Sequence, residues 1–127
     1  MLVPGSLELL ASTPATLRAM LAGVPSSLTA EPGAEGWSVR DVAAHLVSVH
    51  EPALIGRVRL IVDGDEPVVP NVDEEAVLAS SGLRERPLVE LLDRFAQERR
   101  RGMEYLRSLP SAALDRGGLH EIAGRVT

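Results

Sequence analysis

The sequence predicts an all-α domain, a helix bundle with one long connection. Three observations predict it. Apolar residues recur at helical spacing in residues 13–24, 38–62 and 87–109. Each of these stretches opens on a capping or proline signal and closes near a glycine or proline. No segment alternates apolar and polar residues convincingly as a half-buried strand would.

Residues 2–11 are apolar with Pro4-Gly5 near the start, and read as a short helical turn or an extended lead-in. Thr13-Pro14 is a cleaner helix start, Thr13 as N-cap and Pro14 at the first helical position. Leu17, Met20, Leu21 and Val24 follow at helical spacing, and Gly23 and Pro25 stop that helix. Residues 26–36 read as a loop.

The second helix carries most of the signal. Ser38 is its expected N-cap, and Asp41 completes a short variant of the capping box. Trp37, just outside the cap, is placed to staple onto Val42 and is expected to be largely buried. On the helical wheel Val39, Val42, Ala43, Leu46, Val49 and Ala53 share one face. Pro52 lies well inside this helix, so a kink is expected over residues 48–52. Leu54, Ile55, Val58, Ile61 and Val62 continue the period until Asp63-Gly64.

Residues 66–71 read as a connector and 72–79 as a short acidic helix. Residues 80–86 read as loop. The last long helix opens at Pro87, and its stripe runs through Leu88, Leu91, Leu92, Phe95, Met103, Leu106 and Leu109. Arg99 interrupts that stripe. It reads as an arginine snorkelling past the core edge, in preference to a buried pair with a carboxylate. Residues 111–127, with three glycines, read mostly as loop.

A chain of 127 residues suits a single domain spanning residues 1–127, with 45% hydrophobic and 24% charged residues. There is no cysteine, which excludes disulfides, thiolate metal sites and a cysteine nucleophile, and is compatible with a cytoplasmic protein. A net charge of −5 argues against nucleic acid or an anionic membrane as partner. Every basic residue is arginine, which rules out Schiff-base lysine chemistry. No stretch reads as a signal peptide or membrane span.

The candidate metal ligands are the three histidines, His45, His50 and His120. His50 falls within the apolar stripe of the second helix and His45 at its edge. Five residues separate them, so one helix does not present both to a metal as an i, i+4 pair would. Both read most simply as satisfied core or boundary residues.

Four segments carry a resemblance: TPATLRAMLAGVP at residues 13–25, GWSVRDVAAHLVSVH at 36–50, LLDRFAQERRRGMEYLRSL at 91–109 and DRGGLHEIAGRVT at 115–127. In these the chain resembles the DinB-like superfamily, including the DinB/YfiT-like metal-dependent hydrolases and thiol transferases. It is also similar to the N-terminal domain of mycothiol-dependent maleylpyruvate isomerases. The GW-[ST] start followed by HL is the specific part. The resemblance implies a four-helix bundle in up-down-down-up order, and a zinc or nickel ion held by one histidine of the second helix and two of the final helix. The first falls on His45. The other two belong to an H-x-x-x-H beyond the segment matching GRVT, so in residues 1–127 the bundle is expected to be incomplete at its C-terminus and to hold no metal of its own.

Three readings follow: a shortened copy of a longer parent, a paralogue without metal, or a rebuilt site of His45, His50 and His120 with Glu51 or Asp41 nearby. The implied function is hydrolysis or transfer of a low-molecular-weight thiol such as mycothiol. The alternative is a non-catalytic helical interaction module. Apolar stripes left without a covering helix predict a homodimer.

Overall fold

A computed structural model describes residues 5–32, 36–115, 118–120 and 124–126. At Ser26 and from residue 114 onward it describes the backbone alone. Six α-helices appear in it: α1 (Ser6–Leu21), α2 (Ser26–Thr29), α3 (Val39–Val49), α4 (Gly56–Asp63), α5 (Glu74–Ser81) and α6 (Leu88–Ser108). A π-helical turn, His50–Ile55, joins α3 to α4.

The longest helix, α6, is the centre of the packing: α1 lies against it, and so does α3, which also packs on α5. Its stripe explains this. Leu91, Leu92, Phe95, Met103 and Leu106 are all buried at helical spacing, as the sequence predicts. They serve two apolar clusters. One joins Leu91 and Phe95 to Ala43, Ala44, Val47, Leu78 and Leu83. The other joins Met103 and Leu106 to Ile55, flanked by Leu7, Leu10 and Val58. Burial of this kind stabilises by roughly 1.5–3 kcal/mol for each fully buried large apolar side chain.

Two helix starts are as expected. The Ser38 hydroxyl accepts from Asp41 N–H at 3.0 Å and the Asp41 carboxylate accepts from Ser38 N–H at 2.9 Å, a full capping box. Asp73 caps α5 through Ala76 N–H at 3.1 Å.

Elsewhere the structure corrects the sequence reading. Helix α1 begins at Ser6, not Thr13, and Pro14 sits inside it. Nothing in residues 6–12 resists a helix, and Thr13 Oγ1 donates to Leu9 O at 2.8 Å from within the helix instead of capping it. The buried stripe of α3 is Ala43, Ala44 and Val47, while Val39 and Val42 face solvent at 37% and 45% exposure. Apolar residues surround this helix, so periodicity alone did not choose the face that meets α5 and α6. Trp37 is half-buried beside the first cluster, not sealed within the core.

The connector holds a strand, β1 (Val68–Val69). It pairs in parallel with β2 (Gly118–His120), which pairs antiparallel with β3 (Gly124–Val126). Val69 aligns with His120. The C-terminal segment read as loop thus contains two strands and a 3-10 turn, Ser111–Asp115; residues 80–86 contain another, Leu83–Glu85. Strands of two or three residues are too short to show alternation in sequence.

Pro52 has the expected effect in an unexpected form. The helix does not break; it widens into the π turn, in which Gly56 N–H donates to Glu51 O, five residues back. A Cβ at Gly56 would stand 2.7 Å from that carbonyl oxygen. In an ordinary helix Gly→Ala stabilises by about 1 kcal/mol. Gly56→Ala is expected to destabilise instead, by about 1 kcal/mol or more, measured by urea unfolding. Stabilisation would show that the wide turn does not need glycine.

Candidate functional site

His45 and His50 each stand at the centre of a separate polar group beside α3. The first is built on His50. The π turn carries His50 inward until it is 3% exposed, and Gly102 of α6 allows the approach. A Cβ at Gly102 would lie 3.1 Å from His50 Cε1 and 2.8 Å from Ile55 Cδ1. Arg99, one turn earlier on α6, donates from Nε to His50 Nε2 at 3.0 Å. Its Nη1 donates to Leu10 O on α1 at 2.8 Å. That carbonyl is available because Pro14, four residues on, has no N–H to offer it. The guanidinium also lies over the Phe95 ring, 5.0 Å from its centroid. Arg99 is 9% exposed, and the salt bridges among the described residues do not include it. Neither sequence reading of Arg99 holds: it does not snorkel, and its partners are an imidazole and a carbonyl.

Accepting from Arg99 fixes the tautomer of neutral His50, with the proton on Nδ1. Burial lowers the His50 pKa from its ordinary 6.5, and the Arg99 charge lowers it further, against smaller opposing effects of Glu98 and Glu51. Burial likewise lowers the Arg99 pKa. The lone pair that a metal would take from His50 Nε2 is engaged by Arg99.

The second group is built on His45, on the α3 face towards α5. Its Nε2 lies 3.7 Å from Glu74 Oε2, and its ring meets Trp37 with centroids 5.4 Å apart. Nδ1 is buried and has no hydrogen-bond partner among the described residues. Arg84 closes the edge, 5.3 Å over the Trp37 ring and 3.6 Å from Asp41 Oδ1. Glu74 also lines a shallow, open pocket of about 580 Å³ with Asp73, Glu75 and Arg57. Glu74 and Arg84 were not singled out in the sequence. The acidic run at residues 73–75 was visible there, but its meeting with His45 depends on how α5 packs on α3.

His45 and His50 therefore belong to different environments. The side chain of His120 lies outside the described residues; its backbone is in β2 beside Val69. Glu51 pairs with Arg59, and Asp41 is occupied by the capping box. Among the described residues no group of three or more His, Cys, Asp or Glu stands close enough to hold a metal ion. His45 and Glu74 give two donors, whereas zinc centres use three or four protein ligands.

The sequence model of the DinB superfamily matches residues 9–127. Comparison with curated proteins gives no match. Among solved structures, the chain is similar to YfiT from Bacillus subtilis, described as a probable metal-dependent hydrolase with an unusual four-helix bundle topology. The TM-score is 0.82 at 24% identity, over 95% of this chain and 70% of that one. At that identity the likeness speaks for the fold.

The buried pair makes stability depend on pH. Above the ordinary value of 6.5, His50 is neutral in both folded and unfolded chains. As pH falls below 6.5 the unfolded chain binds the proton first, because the folded pKa is lower, so stability is lost progressively until the folded pKa is passed. Between about pH 7.5 and pH 5.5, urea unfolding should show a smaller loss of stability for His50→Gln than for the unaltered chain. Glutamine keeps an acceptor for Arg99 and does not titrate. Equal losses would contradict a neutral His50.

Proposed function

This chain belongs to the DinB superfamily, and on that premise we propose that it supplies His45 to the divalent metal centre of a hydrolase. One observation carries the reading. His45 is the histidine of the GWSVRDVAAHL motif, and it is held at the bundle edge with a buried, unpartnered Nδ1 and with Glu74 facing Nε2. At 3.7 Å Glu74 is too far from Nε2 for a strong hydrogen bond, so the Nε2 lone pair can be given to a metal. His50 also has a buried Nδ1 without a partner among the described residues, but its Nε2 accepts from Arg99.

The two donors His45 and Glu74 do not make a centre alone, so the reading requires further ligands beyond the described residues. Water activated by a divalent metal is the nucleophile such centres provide for hydrolysis. The same activation applied to a low-molecular-weight thiol would give a transferase; the description of the structural relative favours water. The described donor set does not fit a metal without further ligands.

Residues 1–127 are expected to retain less than one equivalent of zinc or nickel after dialysis, by elemental analysis. Zinc titration by calorimetry should show weak binding, lost in His45→Ala, weakened in Glu74→Gln and retained in His50→Gln. Unchanged zinc affinity in His45→Ala would remove His45 as a ligand. A full equivalent lost in both His45→Ala and His120→Ala would establish a centre rebuilt from this chain's own histidines.

A further inference from the structure

A groove of about 690 Å³ runs between α1 and α6. Small side chains of α1 make the room: Ala11, Ala15, Ala19 and Ala22 line it. At 1.5 Å per residue, Ala11 and Ala22 are roughly 16 Å apart along the helix. Ala96 and Met103 of α6 add apolar lining. The volume is within the usual range for a small-molecule site, and the surface is mostly apolar, although five of the twelve lining residues are charged.

The charged groups are one-sided. Arg18, Arg99, Arg100 and Arg107 line the groove, with Glu104 the only carboxylate among its lining residues. Arg18 is neutralised by Asp93 at 2.7 Å. Arg100 and Arg107 are exposed, and the salt bridges among the described residues do not include them. Arg99 is more than nine-tenths buried, touches the groove, and has only His50 Nε2 and Leu10 O as hydrogen-bond acceptors. A buried cation without a counter-charge is costly, and four of the chain's 13 arginines line this one groove. Guanidinium groups match carboxylates in shape and charge.

We propose that the α1/α6 groove binds a small organic anion, a carboxylate carried on an apolar body, with its headgroup held by the groove's arginines and its body along the alanine face of α1. The site is distinct from the His45 group, shares none of its residues, and does not depend on metal. A polar anion without a body would leave the alanine face empty. An uncharged apolar molecule would leave Arg99 without a counter-charge.

Sodium octanoate is the probe, titrated into the ¹⁵N-labelled chain and followed by NMR. Saturable 1:1 binding is expected below about 1 mM, with amide shifts centred on Ala15, Ala19 and Met103 and a shift of the Arg99 Nε–H resonance. The double variant Arg100→Ala/Arg107→Ala changes exposed residues only, so it is expected to keep its fold by circular dichroism and to bind at least about tenfold more weakly. 1-Octanol should also bind at least about tenfold more weakly than octanoate. Equal affinity for 1-octanol, or an unchanged affinity in the double variant, would overturn the proposal in favour of an apolar groove without charge selection. So would the absence of saturable binding. Sedimentation velocity on the same samples shows whether a second copy of the chain covers the groove, and a dimer that octanoate does not perturb would equally overturn it.

Discussion

The structure turns on one side chain, Arg99. It stands on α6 one turn from Phe95 and one turn from Met103, so it marks the seam between the two apolar clusters. From there it reaches α1 through the Leu10 carbonyl and the π turn through the His50 ring. Three segments far apart in sequence are thus held by one guanidinium. Hydrogen bonds to charged groups contribute about 1.5–3 kcal/mol, and the cost of leaving such a charge unsatisfied is larger. That asymmetry makes the position specific: removing either acceptor strands a buried cation. Apolar packing supplies most of the stability, but it has little direction, and the polar seam fixes how α1 and the π turn meet α6.

Both acceptors depend on prolines inside helices. Pro14 leaves the Leu10 carbonyl without its intrahelical donor, and Arg99 takes it. Pro52 lies in the wide π turn that sets His50 against α6, where Gly102 leaves space for the ring. The defects of two helices are therefore matched to one residue of a third. A proline alone would weaken either helix by a few kcal/mol; here the freed carbonyl of α1 and the displaced turn are used as contacts. The same arrangement keeps His50 neutral and engaged, which separates it chemically from His45 although the two share a helical segment.

Much of this was legible in the sequence and some was not. The capping box at Ser38 and Asp41, the stripe of α6 and the disruption at Pro52 all follow from local rules, and the structure has each of them. The DinB superfamily was legible in the GW-[ST] start and the HL that follows, and the superfamily model matches residues 9–127. The face of α3 was not legible, because apolar residues surround that helix and only packing against α5 and α6 selects Ala43, Ala44 and Val47. The start of α1 was missed because Thr13-Pro14 mimics a helix start, yet Pro14 is an interior residue whose missing hydrogen bond is answered from α6. The partners of Arg99 and the approach of Glu74 to His45 are tertiary facts, between residues 89, 49 and 29 positions apart. Local propensity and periodicity carry no information about them.

The direct measurement of the central constraint is a double-mutant cycle between Arg99 and His50. Arg99→Met, His50→Leu and the double variant would be unfolded in urea at neutral pH, where His50 is uncharged. If Arg99 and His50 act as one buried unit, the two single losses overlap, because each substitution strands the other's polar group, and the coupling energy should be about 1.5 kcal/mol or more. Losses that add to within about 0.5 kcal/mol would mean that the two residues are stabilised independently. The seam between the clusters would then not be held by their contact.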